Sequence, residues 1–233
     1  MLPVFSLFIA VQFLLYQTCL SITYYFSVEG ETEQWYLEWL ETQINANENS
    51  KYIVNIIAKV QKDPVSFVKK LVVQKKTTIW HLSDIEGSSA EQIQTVHDTL
   101  GRLKEAKGLG KSIIYKWGYS NLSFDLWMIL HKQNCNAELN SVDGYLSHIN
   151  RAFETQFESM KKYKEEANFK HCLGKLSFPE VLTALSRAKG IMQRNERDGY
   201  HLAQFKGYRY YIHNPFLDLW QPIEAILSDC GLL

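Results

Sequence analysis

Proline and glycine are scarce in this chain. Five prolines and twelve glycines among 233 residues exclude long disordered linkers and low-complexity segments. No internal repeat is apparent, which excludes solenoids and propellers. Cysteine is sparse as well. Cys19, Cys135, Cys172 and Cys230 stand at wide, irregular spacings that match neither a disulfide-dense scaffold nor a zinc ribbon. His171 next to Cys172 hints at a metal, but ligand pairs usually span a turn. Free thiols in a reducing cytosol are the expectation, and the cytoplasm is the expected compartment. Net charge is missing too, with 25 Lys and Arg against 25 Asp and Glu. No global field therefore draws the chain to nucleic acid, and any such contact must come from a local patch or a partner chain. What is abundant is apolar and aromatic: 46% hydrophobic residues, with 6 Trp, 13 Tyr and 12 Phe. That suffices for one sizeable core.

Residues 1–20, MLPVFSLFIAVQFLLYQTCL, contain no charged side chain. Three readings compete. A signal peptide lacks its Lys or Arg before the apolar stretch. A membrane anchor reaches only about the minimum spanning length, and Gln12 and Gln17 interrupt it. A translated leader upstream of the true start is the third, since the patterned sequence begins near Ile22. We therefore set residues 1–20 apart from a single expected domain over 21–233, and expect membrane contact only if the apolar stretch is a genuine anchor.

From residue 22 the sequence alternates between two periods. ITYYFSV (22–28) is β-branched and aromatic and predicts a buried strand. After Gly30, ETEQWYLEWLETQI places Trp35, Tyr36, Trp39, Leu40 and Ile44 on one helical face. YIVNIIAKV (52–60) predicts a second strand. Asp63 as N-cap and Pro64 at the first helical position open a helix over DPVSFVKKLVVQKK. TTIWHLS (77–83) predicts a third strand, and a polar helix from about Ser89 to Lys107 follows, closed by Gly108. SIIY (112–115) predicts a fourth strand, and FDLWMILHK a short helix after a Ser120-Asn121 turn. This order predicts an α/β fold with a parallel sheet sandwiched by helices. Residues 141–166, 177–190 and 216–229 predict a helical C-terminal half.

Open parallel sheets collect ligands at the carboxyl ends of their strands. Two acidic sets fall at such ends. The first strand runs into Glu29-Gly30-Glu31-Thr32-Glu33, and the third into Asp84-Ile85-Glu86-Gly87. If those strands are neighbours, Glu29, Asp84 and Glu86 converge. Such carboxylates repel unless some take up protons or a cation intervenes. Mg²⁺ or Mn²⁺ suits oxygen donors, polarises a phosphodiester and acidifies an attacking water. Gly30 lets backbone approach a phosphate, and the following helix start favours an anion. Each set alone has a plainer reading: Glu31 and Glu33 suit a first helical turn, and Asp often forms turns at strand ends. The pair does not separate a nuclease from a phosphatase-like or nucleotide-binding domain.

VEGETEQWYLEWL resembles the opening of the RloB-like family, a strand followed by E-G-x-x-T-E and an aromatic helix. It matches at Glu29, Gly30, Thr32, Glu33 and Tyr36, with one residue fewer between Gly and Thr. IWHLSDIEG resembles the family's strand ending in an Asp-x-Asp pair. YSNLSFDLWMILHK is similar to S-N-P-x-F-E-x-W-x-x-x-H through Ser120, Asn121, Phe124, Asp125, Trp127 and His131. HNPFLDLWQPIEAIL resembles the closing helix through Asn214 and Pro215. The resemblance spans about residues 22–228. It implies a Toprim-like fold, with Glu29 in acid-base chemistry and Asp84 and Glu86 holding Mg²⁺ or Mn²⁺. It also implies a nuclease effector of phage defence and abortive infection, cutting DNA or RNA, often beside a partner ATPase. Three departures matter: Glu86 stands for the second Asp, Leu122 for Pro and Asp125 for Glu.

Within the segment 120–131, Phe124, Trp127, Met128 and Leu130 fall at core spacing. Asp125 and His131 lie on another face, so both are candidate catalytic groups. Gly30, Glu33, Ser120 and Asn121 are candidate substrate contacts, although Ser120 and Asn121 also suit helix capping. Lys69, Lys70, Lys75 and Lys76, like Lys161, Lys162 and Lys164, read as solvated faces unless one lies beside the acids. Tyr208, Arg209, Tyr210 and Tyr211 suit either base stacking or a plain strand. The alternative function is a non-catalytic Toprim-like binding or regulatory subunit of a defence ATPase complex. The chain's own oligomeric state, a homo-oligomer included, stays open.

Overall fold

The computed structural model describes residues 20–233. The uncharged stretch and Cys19 therefore lie outside the described residues, apart from Leu20. Four apolar runs become parallel strands: β1 (Ser21–Val28), β2 (Ile53–Val60), β3 (Thr77–Asp84) and β4 (Ile113–Asn121). The two-residue β7 (Phe216–Leu217) pairs antiparallel with β4, and the order across the sheet is β2-β1-β3-β4-β7. β1 therefore lies beside β3, with Val28 opposite Leu82 and, one strand on, Asp84 opposite Ser120. Parallel registry puts the carboxyl ends of all four strands on one rim.

Strand alternation gives the sheet two different faces. Phe26, Val28, Trp80 and Leu82 point to one side. There they meet α1 (Glu31–Asn45), α4 (Asp125–Lys132), α5 (Tyr145–Phe153), α7 (Glu166–Leu173), α8 (Phe178–Arg197) and α9 (Trp220–Asp229). Ile79, Tyr115, Trp117 and Tyr119 point the other way. They meet α2 (Pro64–Lys70), α3 (Ala90–Lys107) and the hairpin of β5 (Leu202–Phe205) and β6 (Tyr208–Tyr211). That second face also buries a polar set. Ser27 Oγ bonds His81 Nδ1 at 2.8 Å and Tyr115 Oη at 2.6 Å. Burial pushes the His81 imidazole down to about 4, so it is neutral at physiological pH.

Local chemistry sets the helix ends. Asp63 accepts from the amides of Val65 and Ser66 ahead of Pro64. The last carbonyls of α2, at Val68 and Lys69, accept from the Lys111 ammonium, as does Leu71, which ends that helix at Lys70 rather than Lys76. Ser89 and Gln92 form a reciprocal capping box on α3, and Ser177 and Glu180 another on α8. The β5–β6 turn runs through Lys206 and Gly207 at φ 48° and 90°, the doubly left-handed geometry that matches hairpin twist.

Three expectations need correction. Residues 141–166 do not form one helix. Glu154 takes a left-handed conformation and closes α5, and Ser159 caps the four-residue α6 (Met160–Tyr163). β4 does not stop at Tyr115, and Ser120 and Asn121 are its last residues instead of a turn or cap. The closing helix begins at Trp220, because Phe216 and Leu217 are taken by the sheet. Among the described residues no helix is long and apolar enough to cross a membrane.

Candidate functional site

The rim gathers carboxylates from three places. Glu29 follows β1 and Asp84 ends β3, with the Asp84 amide donating to Glu29 Oε2 at 3.3 Å. Glu33 sits in the first turn of α1 and is 4% exposed. Its Oε2 accepts from Thr32 Oγ1 at 2.8 Å. A Cβ on Gly30 would stand 3.0 Å from that same oxygen, so glycine there lets the carboxylate fold back against the chain. Asp125 opens α4 and is fully buried. Its Oδ2 accepts from Ser123 Oγ at 2.7 Å and from the Lys164 ammonium at 3.0 Å. Its other oxygen, Oδ1, is enclosed without a hydrogen-bond partner.

The electrostatics are those of crowded acids. Burial raises the Glu29 carboxyl to about 7, with Glu33 and Glu86 adding to the effect while the Asp84 amide and Lys62 oppose it. Burial also holds Asp84 well above the usual carboxylate range, and Glu33, Glu29 and Asp125 push the same way. Glu33 is raised by burial and by Asp125, against the pull of Thr32 and Lys164. Burial alone would lower the Lys164 ammonium, but Asp125, Asp84 and Glu33 more than reverse it. Lys164 thus faces three of the four carboxylates, and Lys62 acts on the fourth, Glu29. The Tyr163 phenol, buried and without a partner, and the buried Tyr145 phenol border the same acids.

The remaining predicted residues lie elsewhere or do other work. Glu86 is exposed beyond Asp84; its carbonyl accepts from Gln92 Nε2. It lines a cleft of about 410 Å³ with Gln92, Leu122, Asn140 and His213. Ser120 is buried in the sheet, paired with Asp84 and Leu217. Asn121 is buried too, and its amide donates to the carbonyl of Ile212 at 2.5 Å. His131 is enclosed by Tyr36, Trp39 and Trp127. Its Nε2 bonds the Tyr36 hydroxyl at 3.1 Å and its Nδ1 the Trp127 carbonyl at 2.9 Å. Burial pushes that ring down to about 4. In the lysine run, Lys161 and Lys162 are surface residues and Lys162 pairs with Glu165, whereas Lys164 turns into the acids. Further along, His171 is exposed and its neighbour Cys172 is buried as a free thiol.

The donors are all oxygen, and one buried carboxylate oxygen among them, Asp125 Oδ1, is unpartnered; oxygen donors of this kind suit a hard divalent cation. Their side chains are not drawn to a common point: among the described residues no three His, Cys, Asp or Glu groups are arranged to hold a metal ion. Binding one would require the carboxylates to turn inward.

No curated protein matches the chain. No solved structure matches it either. One family does, over residues 24–226, which takes in the sheet, the acidic rim and most of the helical half: this chain belongs to the family of RloB-like proteins.

Proposed function

We propose that this chain is a Mg²⁺- or Mn²⁺-dependent phosphodiesterase, a nuclease acting on DNA or RNA in defence against phage. The observation that carries this reading is the meeting of Glu29, Glu33, Asp84 and Asp125 at one rim, where Lys164 pairs with Asp125. Family membership supports it, because the RloB-like resemblance implies a Toprim-like nuclease. Four buried or half-buried acids brought together repel one another, and a divalent cation is one relief.

Glu29, Asp84 and Asp125 would hold the ion, with Glu86 reaching from the exposed side of the rim. When bound, such an ion polarises the phosphodiester and acidifies the attacking water. Glu29 would also take a proton from water or return one to the leaving oxygen. Gly30 and the amides that open α1 give a phosphate room to approach. His131, closed in by aromatic rings with both nitrogens bonded, positions α4 against α1. An ATPase partner and a cytoplasmic setting fit this role.

The test is cleavage of single- and double-stranded DNA and RNA by the purified chain, alone and with a neighbouring ATPase, in Mg²⁺ and in Mn²⁺. Glu29→Gln and Asp84→Asn should each lower the rate at least a hundredfold with the fold intact by circular dichroism. No cleavage of any substrate under these conditions would end the reading.

A second reading has one observation in its favour, the Lys164–Asp125 ion pair. If that pair is permanent, the rim is neutralised from within and the chain is a non-catalytic binding or regulatory subunit. Calorimetry decides: absence of Mg²⁺ and Mn²⁺ binding supports the subunit.

A further inference from the structure

Asp125 is wholly enclosed, and an enclosed carboxylate without a partner is strongly unfavourable. Only half of it is provided for. Oδ2 holds Ser123 and Lys164, while Oδ1 has nothing. Lys164, by contrast, is loosely committed. Its side chain is 36% exposed, and Asp125 is its one ion-pair partner among the described residues. It stands just past α6, a helix of four residues. The backbone there is pinned independently, by the Ser159 cap and by buried Met160, Tyr163 and Phe169. The ammonium can therefore leave for solvent on its flexible stem while the chain stays in place.

We propose that Lys164 is a tethered counter-ion that holds the place of a divalent cation in the metal-free protein and releases Asp125 when that cation binds. The proposal rests on the reading of the rim as a metal site. An exchange of this kind, one positive charge giving way to two, explains how the buried Asp125 carboxylate is held without metal. The exchange makes metal affinity lower than the carboxylates alone would give, because each binding event must first break the ion pair.

The experiment compares the full-length wild type with Lys164→Met, which keeps the stem and removes the charge, and Lys164→Arg, which keeps the charge. Calorimetric titration with MnCl₂ should give at least tenfold tighter binding in Lys164→Met and wild-type affinity within threefold in Lys164→Arg. A second measurement needs no variant. In ¹⁵N spectra of the wild type, the protected Lys164 ammonium signal should be lost as MgCl₂ is added. Binding to the wild type with unchanged or weaker affinity in Lys164→Met overturns the counter-ion and leaves the metal site standing. So does an ammonium signal that persists at saturating Mg²⁺. No metal binding by either protein overturns both.

Discussion

Asp125 shows how one residue can tie stability to chemistry. Its ion pair is buried on one side and partly solvated on the other, so losing the carboxylate strands the lysine less than a fully enclosed pair would. Asp125→Ala should cost about 3 kcal/mol, the low end for breaking a buried pair, as read by urea unfolding. His131 makes the contrasting case. With two hydrogen bonds and three aromatic neighbours, His131→Ala should cost about 3 kcal/mol through lost packing and an unpaired Tyr36 hydroxyl. Specific activity per folded molecule should stay within a few-fold. The closeness of Glu29 and Asp84 was legible in the sequence because each follows an apolar run and the two runs become neighbouring strands. Lys164 was not, because a lysine in a lysine run reads as solvated and only tertiary packing selects which one turns inward. Tyr145 and Tyr163 were hidden for the same reason, as aromatics at helical spacing look like core.

At the scale of elements, periodicity carried the four parallel strands and the helices between them, since β-branched runs and N-cap residues act locally. It failed where one element borrows from another. α2 stops at Lys70 because the distant Lys111 satisfies its carbonyls, and 141–166 breaks because Glu154 and Ser159 reset the backbone. Asp63 joins two elements, capping α2 while its oxygens receive Arg102 of α3 at 2.8 and 2.9 Å. That guanidinium holds the Asp63 carboxyl well below the usual carboxylate range. The pair is substantially exposed, so the cap dominates. Asp63→Ala should cost about 1–2 kcal/mol, visible as a lowered urea midpoint, and Asp63→Asn should recover most of it.

For the whole molecule, the sign of the acidic rim appears in pH dependence. Glu29, Glu33 and Asp84 all have raised carboxyl pKa values in the folded chain, so the fold retains protons that the unfolded chain has already lost. Stability then falls as pH rises through the folded values. His81 and His131 act oppositely, since their depressed values cost stability only below about 6.5. From about pH 7 the histidines are mostly neutral in both states and the acids outweigh them. The melting temperature of metal-free protein should therefore drop between pH 7 and 8. Glu29→Gln should flatten that slope, and added Mn²⁺ should shrink it if the rim binds the ion.

The short strand β7 carries a further consequence. Phe216 and Leu217 lie almost a hundred residues beyond their partners Ser120 and Asn121, and the Asn121 amide is tied to Ile212. A chain still emerging from the ribosome has Glu29, Asp84 and Asp125 already made but neither Lys164 nor the segment that braces the edge of β4. The edge of the sheet beside the acidic rim therefore stays open until Phe216 and Leu217 have been made.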